Sequence, residues 1–381
     1  MTSSTQIVIA GGGTPGHLLP GLSIAQSLQE RLPQVSILFA GTGRPVERHM
    51  VRSAGFNYVA LPCKPSPQNP LEALRFVTDN VAGFWAARWM LREQKAGLVV
   101  GLGGWASAAV VRAAVGRGIP TLLMEPNAVP SRTTRWLATQ TDAVCTAFDE
   151  VGPRLHPQAN VLCTGTPVRP QFAKLWNDAV AQGQRPGSRE RRERRLVILG
   201  GSGGAFTLNR VMPHVARLLR DELAGWRIVH QTGEGQLQAT ADRYADQQVD
   251  ALTVSYIDEL ASLLFESDLV VCRAAGQTLS EVALSGTPAV VVPFPESTDN
   301  HQHANADVYQ RAGACTLIDE VRAGDRLADE IAAQLRLLMA DGRRRDQMAD
   351  AMRTLARPDA ASSIADRCCE ILLGSSSRLA A

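Results

Sequence analysis

One plan occurs twice in this chain: an apolar strand, a glycine-crowded turn and a long helix. It opens the first half as "IVIAGGGTPGHLLPGLSIAQSL" (residues 7–28) and the second as "LVILGGSGGAFTLNRVMPHVARLL" (residues 196–219). Strands that stay apolar on both faces belong inside parallel sheets with helices on each side. The pattern continues through "SILFAG", "GLVVGLGG", "TLLMEPN", "DAVCTAF" and "NVLCTG" in the first half. "WRIVHQTG", "LTVSYI", "DLVVCRAAG", "PAVVVPF" and "ACTLI" extend it in the second. The fold class is therefore α/β, with two similar Rossmann-like domains of parallel sheet facing a cleft. A chain of 381 residues has room for two or three domains of about 150 residues each.

The expected boundaries are 1–170 for the first domain and 196–354 for the second. A linker, 171–195, separates them, and a helix at about 355–373 crosses back to the first domain. The basic run in "AQGQRPGSRERRERRL" (residues 181–196) follows Pro and Gly and reads as a solvated linker. Contact with an anionic membrane surface is the second reading.

Composition removes several classes of function. A net charge of +2 and an aromatic content of 5% give neither an electrostatic footprint nor a stacking surface for nucleic acid. The seven cysteines (Cys63, Cys145, Cys163, Cys272, Cys315, Cys368 and Cys369) show no CxxC spacing, and several lie in apolar runs. Reduced core thiols of a cytoplasmic protein fit them better than a disulfide framework or a zinc site. The polar start "MTSSTQ" is not a signal peptide, and no apolar run approaches the roughly 18 residues of a membrane span.

A glycine turn after a parallel strand exposes the first N–H groups of the next helix, and these favour an anion. Gly200–Gly204 fits, with Ser202 adding a hydroxyl, although neither G-x-G-x-x-G nor Gly-Lys-Ser/Thr is present. The turn "IAGGGTPGH" (residues 9–17) ends in His17. It is open to three readings: a phosphate cradle, a catalytic base, or a strand-to-helix turn.

In "CRAAGQTLSEVALSG" (residues 272–286), Thr278, Ser280 and Glu281 are expected in the first helical turn. A carboxylate there accepts from both hydroxyls of a ribose, or else only complements the helix dipole. "PFPESTDNHQHANA" (residues 293–306) reads as a polar loop at a strand's C-terminal end, where Asp299, Asn300, His301 and Gln302 can read sugar hydroxyls. His301 and His303 lack further ligands, so no metal site is expected.

Nine segments, in this order, carry a resemblance: "GGTPGH", "GLGGWAS", "MEPNAV", "GTPVR", "GGSGGA", "HQTGEG", "SYID", "CRAAGQTLSE" and "DNHQHANA". Together they resemble the bacterial MurG family of UDP-N-acetylglucosamine:lipid I transferases, from Ile7 to about Ile318. The resemblance implies a GT-B fold and inverting transfer of N-acetylglucosamine to the 4-hydroxyl of the muramoyl sugar of lipid I, giving lipid II for peptidoglycan. It implies UDP-GlcNAc and lipid I as substrates, association with cell-wall synthesis machinery, and no required cofactor or metal.

By the same resemblance His17 is the base, and the loop Thr14–His17 faces the acceptor diphosphate. Thr14, Pro15 and Gly16 are counted with the donor-binding set. Ser202 and Arg169 contact the donor diphosphate, and Ile257 packs near the uracil. Gly276, Gln277, Thr278, Leu279, Ser280 and Glu281 frame phosphate and ribose, with Glu281 on the ribose hydroxyls. Gln302 holds the sugar hydroxyls, and Asn127 approaches the donor sugar from the first domain.

The chain departs from the family at three places. Pro15 replaces a glycine and removes one N–H from the turn. Met124 and Pro126 replace the His and Gln of "HEQN". Ala274 and Ala275 replace Ser-Gly. These changes leave the donor site largely intact and bear mainly on the acceptor.

A lipid acceptor implies a cytoplasmic protein held peripherally on the inner face of the membrane. In "LRFVTDNVAGFWAARWMLREQK" (residues 74–95), Phe84, Trp85, Trp89 and Met90 lie near Arg88, Arg92 and Lys95. They suit a headgroup layer or a helix packed on its own sheet. Two other functions share the donor motifs. One is a GT-B transferase using UDP-GlcNAc with a different lipid or small-molecule acceptor, and the other is a non-catalytic UDP-sugar-binding regulator. An epimerase would require acidic cleft residues that the sequence does not place.

Overall fold

A parallel strand buried on both faces must hand its chain to a helix before the next strand can pair. The computed structural model of the protein describes residues 5–13, 15–64, 73–185, 193–201 and 203–379. The chain forms two units, Met1–Val168 with Asp359–Ala381, and Arg169–Pro358.

In the first unit β1 (Gln6–Ala10) leads into α1 (Pro15–Arg31). There follow β2 (Ser36–Gly41), α2 (Pro45–Ser53), β3 (Asn57–Ala60), α3 (Ala73–Glu93), β4 (Ala96–Gly101) and α4 (Gly104–Val115). β5 (Thr121–Glu125), α5 (Arg132–Leu137), β6 (Ala143–Thr146) and β7 (Val161–Cys163) complete the run. The seven strands form one sheet in the order β3-β2-β1-β4-β5-β6-β7, every recorded pairing parallel. Ile7, Ile9, Leu98, Val100 and Leu122, all fully buried, fill one side of it with Leu18, Ile24 and Leu28 of α1.

The second unit starts with α6 (Pro170–Ala181), and continues with β8 (Arg194–Leu199), α7 (Phe206–Leu218), β9 (Trp226–Gln231), α8 (Leu237–Asp246) and β10 (Leu252–Val254). α9 (Leu260–Phe265), β11 (Leu269–Cys272), α10 (Gly276–Ser285), β12 (Ala289–Val291), α11 (His301–Arg311) and β13 (Cys315–Leu317) follow. α12 (Glu320–Ala323), α13 (Leu327–Ala340) and α14 (Gly342–Thr354) close the unit. Its six parallel strands run β10-β9-β8-β11-β12-β13. The chain then returns to the first unit as α15 (Ala360–Leu379), which packs on α1 and places Ile364, Ala365 and Cys368 in that core.

Three expectations are corrected. The linker expected at 171–195 contains α6, which belongs to the second unit because Phe172 is fully buried there against Phe265, with ring centroids 6.3 Å apart. Residues 186–192 of that stretch lie outside the described residues. β3 is an additional edge strand. The loop expected at 293–306 ends in a helix, since Asp299 and Asn300 take left-handed backbone (φ 52° and 53°) and α11 starts at the next residue. Asp and Asn are the side chains that tolerate this conformation best after glycine.

Candidate active site

In an open parallel sheet, ligands gather at the carboxyl ends of the strands where the strand order reverses direction. Each unit has one such point, between β1 and β4 in the first and between β8 and β11 in the second. His17 follows β1, and the Gly200–Gly204 and Gly276–Glu281 stretches follow β8 and β11.

In the second unit β11 ends at Cys272 and α10 starts at Gly276, so the N–H groups of Gly276, Gln277 and Thr278 precede the first helical bond, Leu279 N to the Ala275 carbonyl at 3.0 Å. Glu281 stands in the second turn of α10 rather than the first, which removes the dipole-only explanation. It is 3% exposed, and Arg169 meets it side-on, Nε to Oε1 and Nη2 to Oε2, each at 2.9 Å. Gln277 Nε2 donates to the same Oε1 at 2.9 Å.

Burial works against the Arg169 charge, but the Glu281 carboxylate outweighs it, with help from the Tyr256 hydroxyl, and the guanidinium pKa moves up. Two edges of the Arg169 fork are thus used by Glu281, and the Tyr256 hydroxyl is a further side-chain partner of the guanidinium. Gln277 is 8% exposed, and its Oε1 is a buried acceptor without a hydrogen-bond donor among the described residues. Two other expected residues do not offer side chains. Leu279 is fully buried, and Ser280 Oγ donates to the Gly276 carbonyl at 2.9 Å.

Gln302 lies on α11. Its Oε1 accepts from Ala274 N at 3.1 Å and Phe294 N at 3.0 Å, which fixes the amide and turns Nε2 away from both. One turn on, the fully buried Asn305 donates through Nδ2 to the Ala274 carbonyl at 3.0 Å. α11 therefore clamps the peptide that precedes α10. Ile257, half-buried, follows β10 at the same edge of the sheet. Ser202 and Thr14 lie outside the described residues, as does the side chain of Pro15.

The Gly200–Gly204 turn is braced by a network that the sequence did not reveal. A Cβ at Gly204 would sit 2.4 Å from the Thr232 carbonyl oxygen, and one at Gly233 would sit 2.3 Å from Gly204 N. The two turns touch backbone to backbone. Asn209 Nδ2 holds the Thr232 carbonyl at 2.8 Å, and Asn209 Oδ1 lies 3.0 Å from His230 Nε2. His230 Nδ1 is 3.0 Å from the Tyr244 hydroxyl. With Asn209 oriented by Thr232, His230 donates from Nε2 and accepts at Nδ1 as a neutral ring. Burial lowers its pKa to about 3.

In the first unit His17 is the third residue of α1, and Pro15 opens that helix where a missing N–H costs no helical bond. Glu125, 1% exposed at the end of β5, accepts from Ser131 N at 2.8 Å, Thr134 Oγ1 at 2.6 Å, and Asn127 N and Nδ2 at 3.2 and 3.3 Å. Asn127 is thus oriented by a neighbouring carboxylate within its own loop. Among the described residues no cluster of three or more His, Cys, Asp and Glu is arranged to hold a metal ion.

On α3 Trp85 and Trp89 are exposed and Phe84 is half-buried. Met90 is buried, whereas Val77, Val81, Trp85 and Trp89 are all more than half exposed and recur every four residues along one face. Arg92 and Lys95 are exposed at the end of that helix. Among the described residues no helix is long and apolar enough to cross a membrane.

Comparison with known proteins decides the family. Residues 7–146 match the glycosyltransferase family 28 N-terminal domain, and residues 195–364 match the glycosyltransferase family 28 C-terminal domain. The chain belongs to glycosyltransferase family 28. Among relatives in this family, a Geobacter metallireducens protein named UDP-N-acetylglucosamine--N-acetylmuramyl-(pentapeptide) pyrophosphoryl-undecaprenol N-acetylglucosamine transferase is 35% identical. The match covers 95% of this chain and 97% of that one. The Geobacter sulfurreducens protein of the same name is also 35% identical, over 95% and 97%. The crystal structure of Acinetobacter baumannii MurG matches with a TM-score of 0.76 and 26% identity, covering 96% of this chain and 99% of that one. The family 28 fold is the GT-B type, two Rossmann-like parallel-sheet domains.

Proposed function

We propose that this family 28 glycosyltransferase moves N-acetylglucosamine from UDP-GlcNAc to the muramoyl 4-hydroxyl of undecaprenyl-diphosphate-linked muramoyl-pentapeptide, with inversion. The observation that carries the reading is the 35% identity to relatives of that named activity over 95% of the chain. The arrangement of groups described above suits the chemistry.

In this reading α10 receives the nucleotide. Glu281, held in place by Arg169, accepts from the ribose hydroxyls, and the N–H groups of Gly276, Gln277 and Thr278 face phosphate. Arg169 and Ser202 answer the charge of the departing UDP. Charge-assisted hydrogen bonds of this kind contribute about 1.5–3 kcal/mol each, so fixed donors serve where other enzymes use a divalent ion. Gln302 Nε2 donates to the sugar hydroxyls, Ile257 lies beside the uracil, and Asn127 approaches the donor sugar. His17 takes the proton of the acceptor hydroxyl. Its imidazole has a reference pKa near 6.5, suited to a base at neutral pH.

The lipid acceptor requires the enzyme at a bilayer surface. The Val77–Val81–Trp85–Trp89 stripe, with Arg92 and Lys95 beside it, supports peripheral attachment of the first unit to an anionic leaflet. Attachment of this kind on the cytoplasmic face would bring the enzyme to its substrates.

The test is acceptor-dependent UDP release with a short-chain lipid I analogue, run with EDTA and with His17→Ala. Release that survives EDTA and collapses in the variant is the expected result. UDP-GlcNAc binding without release on lipid I would redirect the search to another acceptor.

A further inference from the structure

The glycines at residues 11–13 are expected to bring N–H groups to a phosphate, yet two of those groups point elsewhere. Gly11 N donates to the Ala40 carbonyl at 3.0 Å, and Gly13 N donates to Glu47 Oε1. Pro15 has none. What shapes the turn is Glu47, in the first turn of α2 and fully buried.

Five donors converge on its carboxylate. Oε1 takes Gly13 N–H and, at 2.7 Å, the Thr42 hydroxyl; Oε2 takes Thr42 N–H at 2.9 Å, Gly43 N–H at 3.1 Å and the Tyr58 hydroxyl. A Cβ at Gly12 would lie 2.6 Å from Oε1, and one at Gly41 would lie 2.7 Å from Oε2. The backbone is glycine at both places because the carboxylate fills the space. Arg44, three residues before Glu47, donates to the Gly13 carbonyl, so α2 holds that residue by both its N–H and its C=O. Burial tends to raise the Glu47 pKa, but the bonds from Tyr58, Thr42, Gly13 and Gly43 prevail and lower it, so the group is an anion at neutral pH.

We infer that Glu47 is a positioning residue for the transfer reaction, fixing the turn from Gly12 to the start of α1 so that His17 is presented in one place. The inference rests on the assignment of His17 as the base. Glu47 itself touches no substrate. A turn with glycines at three successive positions loses much conformational entropy on ordering. A carboxylate that accepts from its centre supplies the compensating bonds.

A glutamine tests this sharply, because it replaces one acceptor oxygen with a donor that would face Thr42, Gly43 and Gly13 N–H or hydroxyl groups. Glu47→Gln, Glu47→Asp, His17→Ala and the Glu47→Gln/His17→Ala pair are compared with UDP-GlcNAc and a short-chain lipid I analogue. The expected result for Glu47→Gln is a kcat lower by about tenfold or more, with the KM for UDP-GlcNAc changed by no more than about twofold. Glu47→Asp recovers part of the rate. In the His17→Ala background the same change costs less than about twofold, because the group it positions is already gone.

Equal losses with and without His17, or an unchanged kcat in Glu47→Gln, would overturn the inference. Full activity of His17→Ala would instead remove the base assignment, and the inference with it. If Glu47→Gln does not fold, Tyr58→Phe, which removes one of the five donors, carries the same comparison with a smaller expected loss. An unchanged kcat in that variant, or a loss equally large without His17, would then overturn the inference.

Discussion

Arg169 and Glu281 form a two-bond fork, Nε to Oε1 and Nη2 to Oε2, with side chains 15% and 4% exposed. Removing one partner of such a pair leaves a buried charge without its counter-ion, at a cost of about 3–5 kcal/mol. Arg169→Ala should therefore destabilise the protein by about that much in urea unfolding. Adding Glu281→Gln should restore a large part of the stability while donor binding, read by calorimetry with UDP-GlcNAc, stays lost. An Arg169→Ala protein of normal stability would show that the pair is not held in solution.

Gln302 permits a cleaner separation of scaffold from ligand. Its Oε1 is committed to two backbone N–H groups, so Gln302→Glu keeps that anchor while replacing the Nε2 donors with a charged acceptor oxygen. Stability should change little, while the KM for UDP-GlcNAc rises by about three- to tenfold, as loss of a roughly 0.5–1.5 kcal/mol hydrogen bond requires. Gln302→Ala should lose stability as well, because it strands both N–H groups. Equal KM in the wild type and Gln302→Glu would take Gln302 out of sugar recognition.

His230 gives an acid-stability prediction. Its folded pKa is lowered to about 3 from a usual value of 6.5. Below pH 6.5 the unfolded chain takes up a proton that the folded ring refuses, so stability falls with decreasing pH from there toward 3. The loss amounts to about 1.4 kcal/mol per pH unit, or about 2 kcal/mol between pH 6.5 and 5. His230→Gln should flatten the decline by one proton's worth. An identical pH slope in the variant would mean that His230 is already protonated in the fold.

The α3 stripe separates membrane binding from catalysis. Trp85→Glu and Trp89→Glu alter residues 61% and 67% exposed, so stability should move by less than about 0.5 kcal/mol. Binding to vesicles containing anionic phospholipid should weaken by about tenfold or more, since each change removes buried apolar area and adds repulsion. Turnover of a soluble short-chain acceptor should be unaffected. Unweakened vesicle binding would assign the stripe to some other contact.

Much of this molecule was legible from its residues, for reasons the structure makes plain. All six strands read in the second half exist: β8, β9, β11 and β12 are short, mostly buried apolar runs, and the exposed edge strand β10 is legible from its β-branched Thr253 and Val254. β3 does not read as an apolar run, because "NYVA" opens on a polar Asn and both of its end residues are exposed. α11 was taken for a loop because its entry uses two left-handed residues, Asp299 and Asn300, which in sequence look like a turn. Glu47 was invisible for a different reason. In "PVERHMV" it is one polar residue of an amphipathic helix, and its meaning comes from a turn 34 residues earlier that only the folded sheet brings to it. The pairing of Arg169 with Glu281 was not legible, since 112 residues separate them.

The contact between Gly204 and Gly233 ties the two turns of the second unit into a single latch. Neither backbone can gain a side chain without displacing the turn it meets. Side chains at both positions would compound the clash, so the two glycines act as a shared keystone that lasts as long as the turns meet.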